Sequence, residues 1–243
     1  MASTMAFNPA GISSTVFREG FDLRSSALAI SADPGKLSQI AGTQGVASYA
    51  QGDTAYQPAY SSTGWDGVLP AMTFDATDDH LDLSADIHSA VDAWDVVFVA
   101  QFAATGSAVQ FLAAWRDNNL RSAALSLGVN SSGNLYINHY GGGGNMNSAT
   151  NPGADKHVLH FSGKNGSAKI RMDGVEVYSV ASGDWTHALG GTGYGRCLGA
   201  GWNGLSNSNA KIPLMWCFQG ADIMSDADAA NVAAALKSEW GTL

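Results

Sequence analysis

Apolar and polar residues alternate through the middle of this chain with the two-residue period of strands that bury one face. Leu125, Leu127 and Val129 alternate with polar or small residues, Ser131-Ser132-Gly133 interrupts the run, and Leu135 and Ile137 resume it, which predicts a β-hairpin. A second pair of turns follows. Val158–Phe161 leads into the turn Gly163–Gly166, Ile170 and Met172 alternate up to Asp173-Gly174, and Val175 and Val177 leave it on the far side. Asp-Gly between alternating strands calls for a turn whose two central residues both take positive φ. Met72 with Phe74, Asp95–Phe102 and Phe111–Trp115 add strands bounded by turn residues. Upstream, Leu28–Ile30 and Val46–Tyr49 are short apolar pieces set between Gly, Ser and Asp-Pro-Gly, as in loop-rich β structure.

Near the C-terminus the period changes. Ser225 with Asp228 forms a capping box, Ala229, Val232, Ala233, Leu236 and Trp240 recur at helical spacing, and Gly241 ends the run. One amphipathic helix over residues 226–240 is expected, anchored by Leu236 and Trp240 on a sheet edge or under the sheets. Residues 1–24 are polar, small and weakly periodic, and read as an extended N-terminal arm or a first edge strand. Nothing in the composition divides the remainder, so residues 25–243 read as one all-β domain closed by that helix.

Composition narrows the function classes. Charged residues make up 14% of the 243, and Gly, Ala, Ser and Asn fill the deficit rather than long apolar runs. Seven Trp, seven Tyr and nine Phe supply buried area that a disordered chain lacks. Twelve Lys and Arg against 21 Asp and Glu leave a net charge of −9, which repels phosphate backbones and argues against nucleic-acid binding. No segment approaches the ~18 apolar residues of a membrane helix and no export signal opens the chain, so a soluble, cytoplasmically made protein with no membrane partner is expected. Two cysteines, Cys197 and Cys217, are too few to staple the domain. They flank a segment that could bring them opposite one another, but reduced, buried thiols are the simpler reading.

Three stretches carry a family resemblance. Pro70-Ala71-Met72-Thr73-Phe74-Asp75 leading through Asp78-Asp79-His80-Leu81 resembles the passage "P-x-hydrophobic-x-F-D/N-G-x-D-D-x-L" of the laminin-G-like branch of the concanavalin A-like lectins and glucanases, with Ala76 in place of the glycine. Met172-Asp173-Gly174-Val175 is similar to that family's central turn, and Gly220–Asp226 followed by Trp240-Gly241 to its closing segment. The resemblance spans roughly Phe21 to Leu243 and implies a two-sheet antiparallel β-sandwich of jelly-roll type with one C-terminal helix. It does not imply a function. Members without an export signal and with such an arm resemble structural proteins of tailed bacteriophages, which implies a non-enzymatic virion component: capsid decoration, head-fibre or tail-associated. The arm would then bind other virion proteins or build a homo-oligomer. The alternative is a carbohydrate-binding module or adhesin for a cell-surface polysaccharide.

Glycoside hydrolysis is the weakest reading. Retaining enzymes need two carboxylates roughly 5–5.5 Å apart; no Glu-x-Asp-x-Glu run exists, and Asp92 with Asp95 suit turns or caps better. For ligand binding, Trp115-Arg116-Asp117-Asn118 offers an aromatic face beside hydrogen-bonding groups, the chemistry of a sugar ring, although Trp115 also ends an apolar strand and suits the core. Asn138-His139-Tyr140 ahead of four glycines, Gly141 to Gly144, is a second such loop. Asp75, Asp78, Asp79 and Asp82 form the densest acidic cluster, whose oxygens suit either a calcium ion or a tight turn. Otherwise no cofactor is expected. His157 and His160 sit an odd number of residues apart on one strand and cannot share a metal.

Overall fold

The computed structural model describes residues 16–24, 26, 28–30, 35–44, 48–84, 93–106, 108–116, 124–140, 144–185, 197–201 and 207–241. Two antiparallel sheets pack face to face. Sheet A runs, in spatial order, β15 (Val175–Val180), β14 (Ser167–Met172), β13 (Lys156–Lys164), β8 (Ala93–Phe102), β17 (Ala210–Gly220), β6 (Leu69–Thr73) and β5 (Ala59–Trp65). Sheet B runs β12 (Gly144–Asn147), β11 (Leu135–Tyr140), β10 (Ala124–Val129), β9 (Gln110–Arg116), β16 (Cys197–Leu198), β7 (Leu81–Leu83), β4 (Ser48–Ala50), β3 (Leu37–Ala41) and β2 (Leu28–Ile30). The sandwich with one helix is the architecture expected.

β1 (Val16–Asp22) also belongs to sheet A, paired with β17 from Val16↔Gln219 to Asp22↔Leu214. Residues 16–24 of the segment read as an arm are therefore part of the domain, and residues 1–15 lie outside the described ones. A bulge between Phe17 and Glu19 breaks the alternation that would have revealed the strand. Glu19, fully buried, completes the disguise: its Oε1 accepts from the N–H groups of Gly20 (2.9 Å) and Gln44 (3.0 Å). β6 and β1 share one edge of β17, meeting at a bulge that contains Pro213, which has no N–H to offer the ladder.

Helix α1 (Asp226–Trp240) lies on the outer face of sheet A. It starts at Ser225, whose side chain accepts from the Asp228 N–H, and stops at Gly241 in the left-handed region (φ 62°). Its buried stripe is Ala229, Val232, Ala233, Leu236 and Trp240, and these pack on Val97, Val99, Leu214, Trp216 and Phe218. The centre of sheet A is thus buried on both faces, which explains the unbroken apolar run of β8: Trp94, Val96, Phe98, Ala100 and Phe102 point into the sandwich while Val97 and Val99 meet the helix. The β14–β15 turn takes the expected form, with Asp173 at φ 56° and Gly174 at φ 83°. A Cβ on Gly174 would also lie 3.0 Å from the Cα of Ala230, so the helix seats on that turn. Among the described residues no helix is long and apolar enough to cross a membrane.

Candidate functional site

Among the described residues no helix packs on the outer face of sheet B, and strand parity assigns its residues. Leu125, Leu127 and Val129 of β10, Leu135 and Ile137 of β11 and Met146 of β12 belong to the core between the sheets. Ser126 and Gly128, Tyr136 and Asn138, and Asn145 and Asn147 therefore face outward. Cross-strand register arranges them in two rows. One row reads Asn145, Asn138, Ser126, Ala114; the other reads Asn147, Tyr136, Gly128, Phe111. A Cβ on Gly128 would collide with the Gln110 carbonyl, so only glycine permits β9 and β10 to approach there. Across it the rings of Phe111 and Tyr136 stack, centroids 6.1 Å apart and 23° from parallel. Asn145 and Asn147 are exposed at the sheet edge, and Asn147 accepts from the Asn130 amide at 3.0 Å.

The interior of the first row is unusual. Ser126 is fully buried and Asn138 nearly so, yet neither Ser126 Oγ nor Asn138 Oδ1 has a hydrogen-bond partner. The two residues are directly opposed across the β10–β11 ladder. Uncharged amides and a hydroxyl beside an aromatic pair are the donor, acceptor and apolar groups that a sugar presents in complement.

Of the residues expected to bind, Asn138 lies on this face. Trp115 does not: it is 2% exposed and belongs to the core, because its parity matches Leu125 across the ladder. His139 points inward for the same reason, following Leu135 and Ile137, and its ring lies 5.6 Å from that of Trp185. Tyr140 and Arg116 pair in the sheet through Ala124, but their side chains lie outside the described residues, as do Asp117, Asn118 and residues 141–143. Phe111, Ser126, Tyr136, Asn145 and Asn147 were missed in the sequence. Their signal is the polar parity opposite an apolar alternation, which identifies a face but not its burial.

Asp75, Asp78 and Asp79 do come together, with ligand atoms within 4.8 Å of one another. Asp82 does not join them; it sits on β7, 4.0 Å from His80 Nε2. Asp75 Oδ1 accepts from the N–H groups of Thr77 (2.8 Å), Asp78 (3.2 Å) and Asp79 (3.4 Å), the geometry of a tight turn. Partial burial opposes ionisation of Asp75, but these three donors outweigh it and hold its carboxyl below the usual range. Burial and then the Asp75 charge push the Asp79 carboxyl up to about 6, against the pull of Lys36, whose ammonium lies 3.6 Å away. A lysine thus supplies the positive charge within this cluster, and the set does not fit a calcium cage.

The carboxylates considered for hydrolysis do not form a pair among the described residues. Asp92 lies outside them. Asp95 is neither turn nor cap; it is buried beneath the helix, accepting from His160 Nε2 (2.7 Å) and the Met224 N–H (2.9 Å). Arg171 completes this layer with bonds to Ser162 Oγ (3.2 Å), the Met224 carbonyl (3.2 Å) and Asp226 (2.6 Å). His157 faces away from His160, as parity requires, and bonds Asp173 Oδ2 at 2.8 Å. Cys197 and Cys217 form no disulfide and stand in different sheets.

No family profile matches the chain, and no curated protein matches its sequence. Solved structures share the fold. Domain 4 of AbnA, a GH43 extracellular arabinanase from Geobacillus stearothermophilus solved with arabinotriose, superposes with a TM-score of 0.61 at 14% identity, over 91% of this chain and 100% of that one. A GH54 α-L-arabinofuranosidase soaked with 4-nitrophenyl α-L-arabinofuranoside gives 0.62 at 12% identity, over 84% of this chain and 51% of its own. An arabinofuranosidase complexed with arabinofuranosyl-α-1,2-xylobiose gives 0.61 at 14%, with the same coverage. The chain spans about half of each of those two enzymes. The fold is that of the β-sandwich domains found in carbohydrate-active proteins.

Proposed function

We propose that this chain is a non-enzymatic glycan-binding domain that holds a sugar at the exposed β12 edge of sheet B. The observation that carries the reading is the composition of that edge: exposed Asn145 and Asn147, paired in register with Asn138 and Tyr136 of β11. Vicinal hydroxyls pair with side-chain amides, and a sugar's apolar C–H face lies against aromatic rings. A cell-surface polysaccharide is the partner such a domain would meet. Titration of the purified chain against immobilised polysaccharides tests this. Saturable binding is expected, and Asn145→Ala with Asn147→Ala, both at exposed positions, should weaken it about tenfold at unchanged melting temperature. Release of reducing sugar by the protein would sink the non-enzymatic part of the reading.

The virion role rests on the family resemblance alone. Of the arm over residues 1–24, residues 16–22 pair in sheet A, so we propose residues 1–15 as the segment that would contact other virion proteins or a second copy. Deleting those residues should lower the mass seen by light scattering, whereas β1 must be retained for folding.

A further inference from the structure

Two cavities lined by described residues differ in how their lysines are neutralised. The larger, about 470 Å³, lies at the start of α1, and its lysines are bound to carboxylates: Lys164 to Asp222 at 2.7 Å, and Lys169 to Glu176 and Asp226 at 2.9 Å. It is compensated from within. The smaller, about 190 Å³, lies at the ends of β6, β8 and β17 and is lined by Thr73, Gln101, Ala103, Ala154, Asn209 and Lys211. No carboxylate among the described residues lies within 4 Å of the Lys211 ammonium, whose one partner there is the Gly64 carbonyl at 3.4 Å. Lys156, further along the same row of the sheet, is taken by Asp66.

Register gathers the polar groups of the smaller cavity. Lys211 stands opposite Thr73 of β6 on one side and Gln101 of β8 on the other. Gln101 follows Val97 and Val99 on the outer face, past the apolar patch that the helix covers. All three residues are partly exposed, so a ligand can reach them in the folded chain. Backbone carbonyls fix the amides: Gln101 Nε2 donates to Ala154 (2.9 Å) and Asn209 Nδ2 to Ala104 (2.8 Å). Gln101 Oε1 and the Thr73 hydroxyl have no such partner among the described residues.

An ammonium beside a hydroxyl donor suits a carboxylate, and an amide oxygen next to them suits a hydroxyl. A uronic acid carries both groups on one ring. A phosphate monoester, at about −1.5 to −2, exceeds what one ammonium balances on a chain of net charge −9. The cavity is also smaller than the ~300–1,000 Å³ that encloses a drug-sized ligand, so it takes one residue rather than a run of them. Resting on the glycan-binding reading, we infer that this cavity is a second subsite, separate from the β12 edge, that holds a single uronic acid residue through Lys211, Thr73 and Gln101.

The experiment titrates the purified chain at low salt with glucuronate, glucose and acetate, following the NMR signals of the Gln101 side-chain amide. Lys211→Gln is measured beside it, with Lys164→Gln as the control in the larger cavity. Glucuronate should bind at least about tenfold more tightly than glucose or acetate. Lys211→Gln should abolish that preference at unchanged melting temperature, and Lys164→Gln should keep it. Should Lys211→Gln not fold, the wild type decides: glucuronate binding should weaken severalfold between about 50 and 500 mM salt while glucose binding stays constant. Glucose or acetate bound as tightly as glucuronate, glucuronate binding that survives Lys211→Gln, or salt-independent binding would overturn this inference and leave the β12 edge standing. Glucuronate held at Lys211 by a chain that retains no immobilised polysaccharide would support the cavity and overturn the reading at the edge. Binding of neither would overturn both.

Discussion

The two outer faces of the sandwich treat buried polar groups in opposite ways. Under the helix, Asp95, His160, Ser162 and Arg171 are buried on the strands of sheet A, and each has its partner. Arg171 and Lys169 hold the Asp226 carboxyl below the usual range, so even the helix's first carboxylate is compensated. The Trp240 indole N–H is the exception on that face. On the outer face of sheet B, Ser126 Oγ and Asn138 Oδ1 are buried without a hydrogen-bond partner. A polar group that fastens one layer to another finds its complement inside the chain. One without such a complement carries a stability penalty instead.

Removing a partner under the helix should give the largest effect. Asp95→Ala strands both the buried His160 ring and the Met224 N–H, and a loss of about 3–5 kcal/mol is expected in urea unfolding. A change below 1 kcal/mol would mean that the network contributes little, and the contrast between the faces would fail. Next comes a matched pair of serines, both fully buried. Ser162→Ala leaves an Arg171 N–H without its acceptor and should destabilise by about 1–3 kcal/mol. Ser126→Ala should shift stability the other way by about 1 kcal/mol. Equal signs for the two serines would erase the distinction drawn here.

Asp79 extends the contrast to titration. Its folded pKa of about 6 lies above the ordinary 3.8, so its contribution is fully present below pH 4 and is lost as pH rises through 6. Asp79→Asn should flatten the fall in melting temperature over that window. An unchanged slope would show that the carboxyl ionises without penalty.

Much of this was legible in the residue pattern, for reasons that also explain what was not. The β10–β11 and β14–β15 hairpins and the helix are local: alternation, a turn and a cap lie within a few residues of one another, so sequence distance and structural distance agree. β1 could be read only as an arm or a first edge strand, because its bulge and its buried Glu19 are meaningful only against β17, some two hundred residues away. At the site, parity was available and decisive. It placed Asn138 outward, and the same count along β11 would have sent His139 inward with Leu135 and Ile137. What no local pattern reports is whether an outward polar residue is covered, or whether its partner exists. Ser126 looks like any solvent-facing serine until the register sets it against Asn138.

The smallest expected effect concerns His157, which faces acceptors through both ring nitrogens: Asp173 Oδ2 at 2.8 Å from Nδ1 and the Pro152 carbonyl at 3.0 Å from Nε2. Only the doubly protonated ring donates to both. Burial opposes that charge, but the bond to Asp173 outweighs it and raises the folded pKa above 6.5, while the same bond, against its own burial, holds Asp173 below 3.8. The His157 contribution is therefore fully present below pH 6.5 and is lost as pH rises through the folded value; that of Asp173 is present above pH 3.8 and is lost as pH falls. Between those limits the pair should contribute on the order of 1 kcal/mol. Melting temperatures of wild type and His157→Gln across that range and up to pH 8.5 check this: the gap should be widest near pH 5 and close as the ring deprotonates. A gap that stays constant to pH 8.5 would mean that the ring's packing stabilises rather than its charge, and the pairing of polar groups on sheet A would then owe less to electrostatics than to shape.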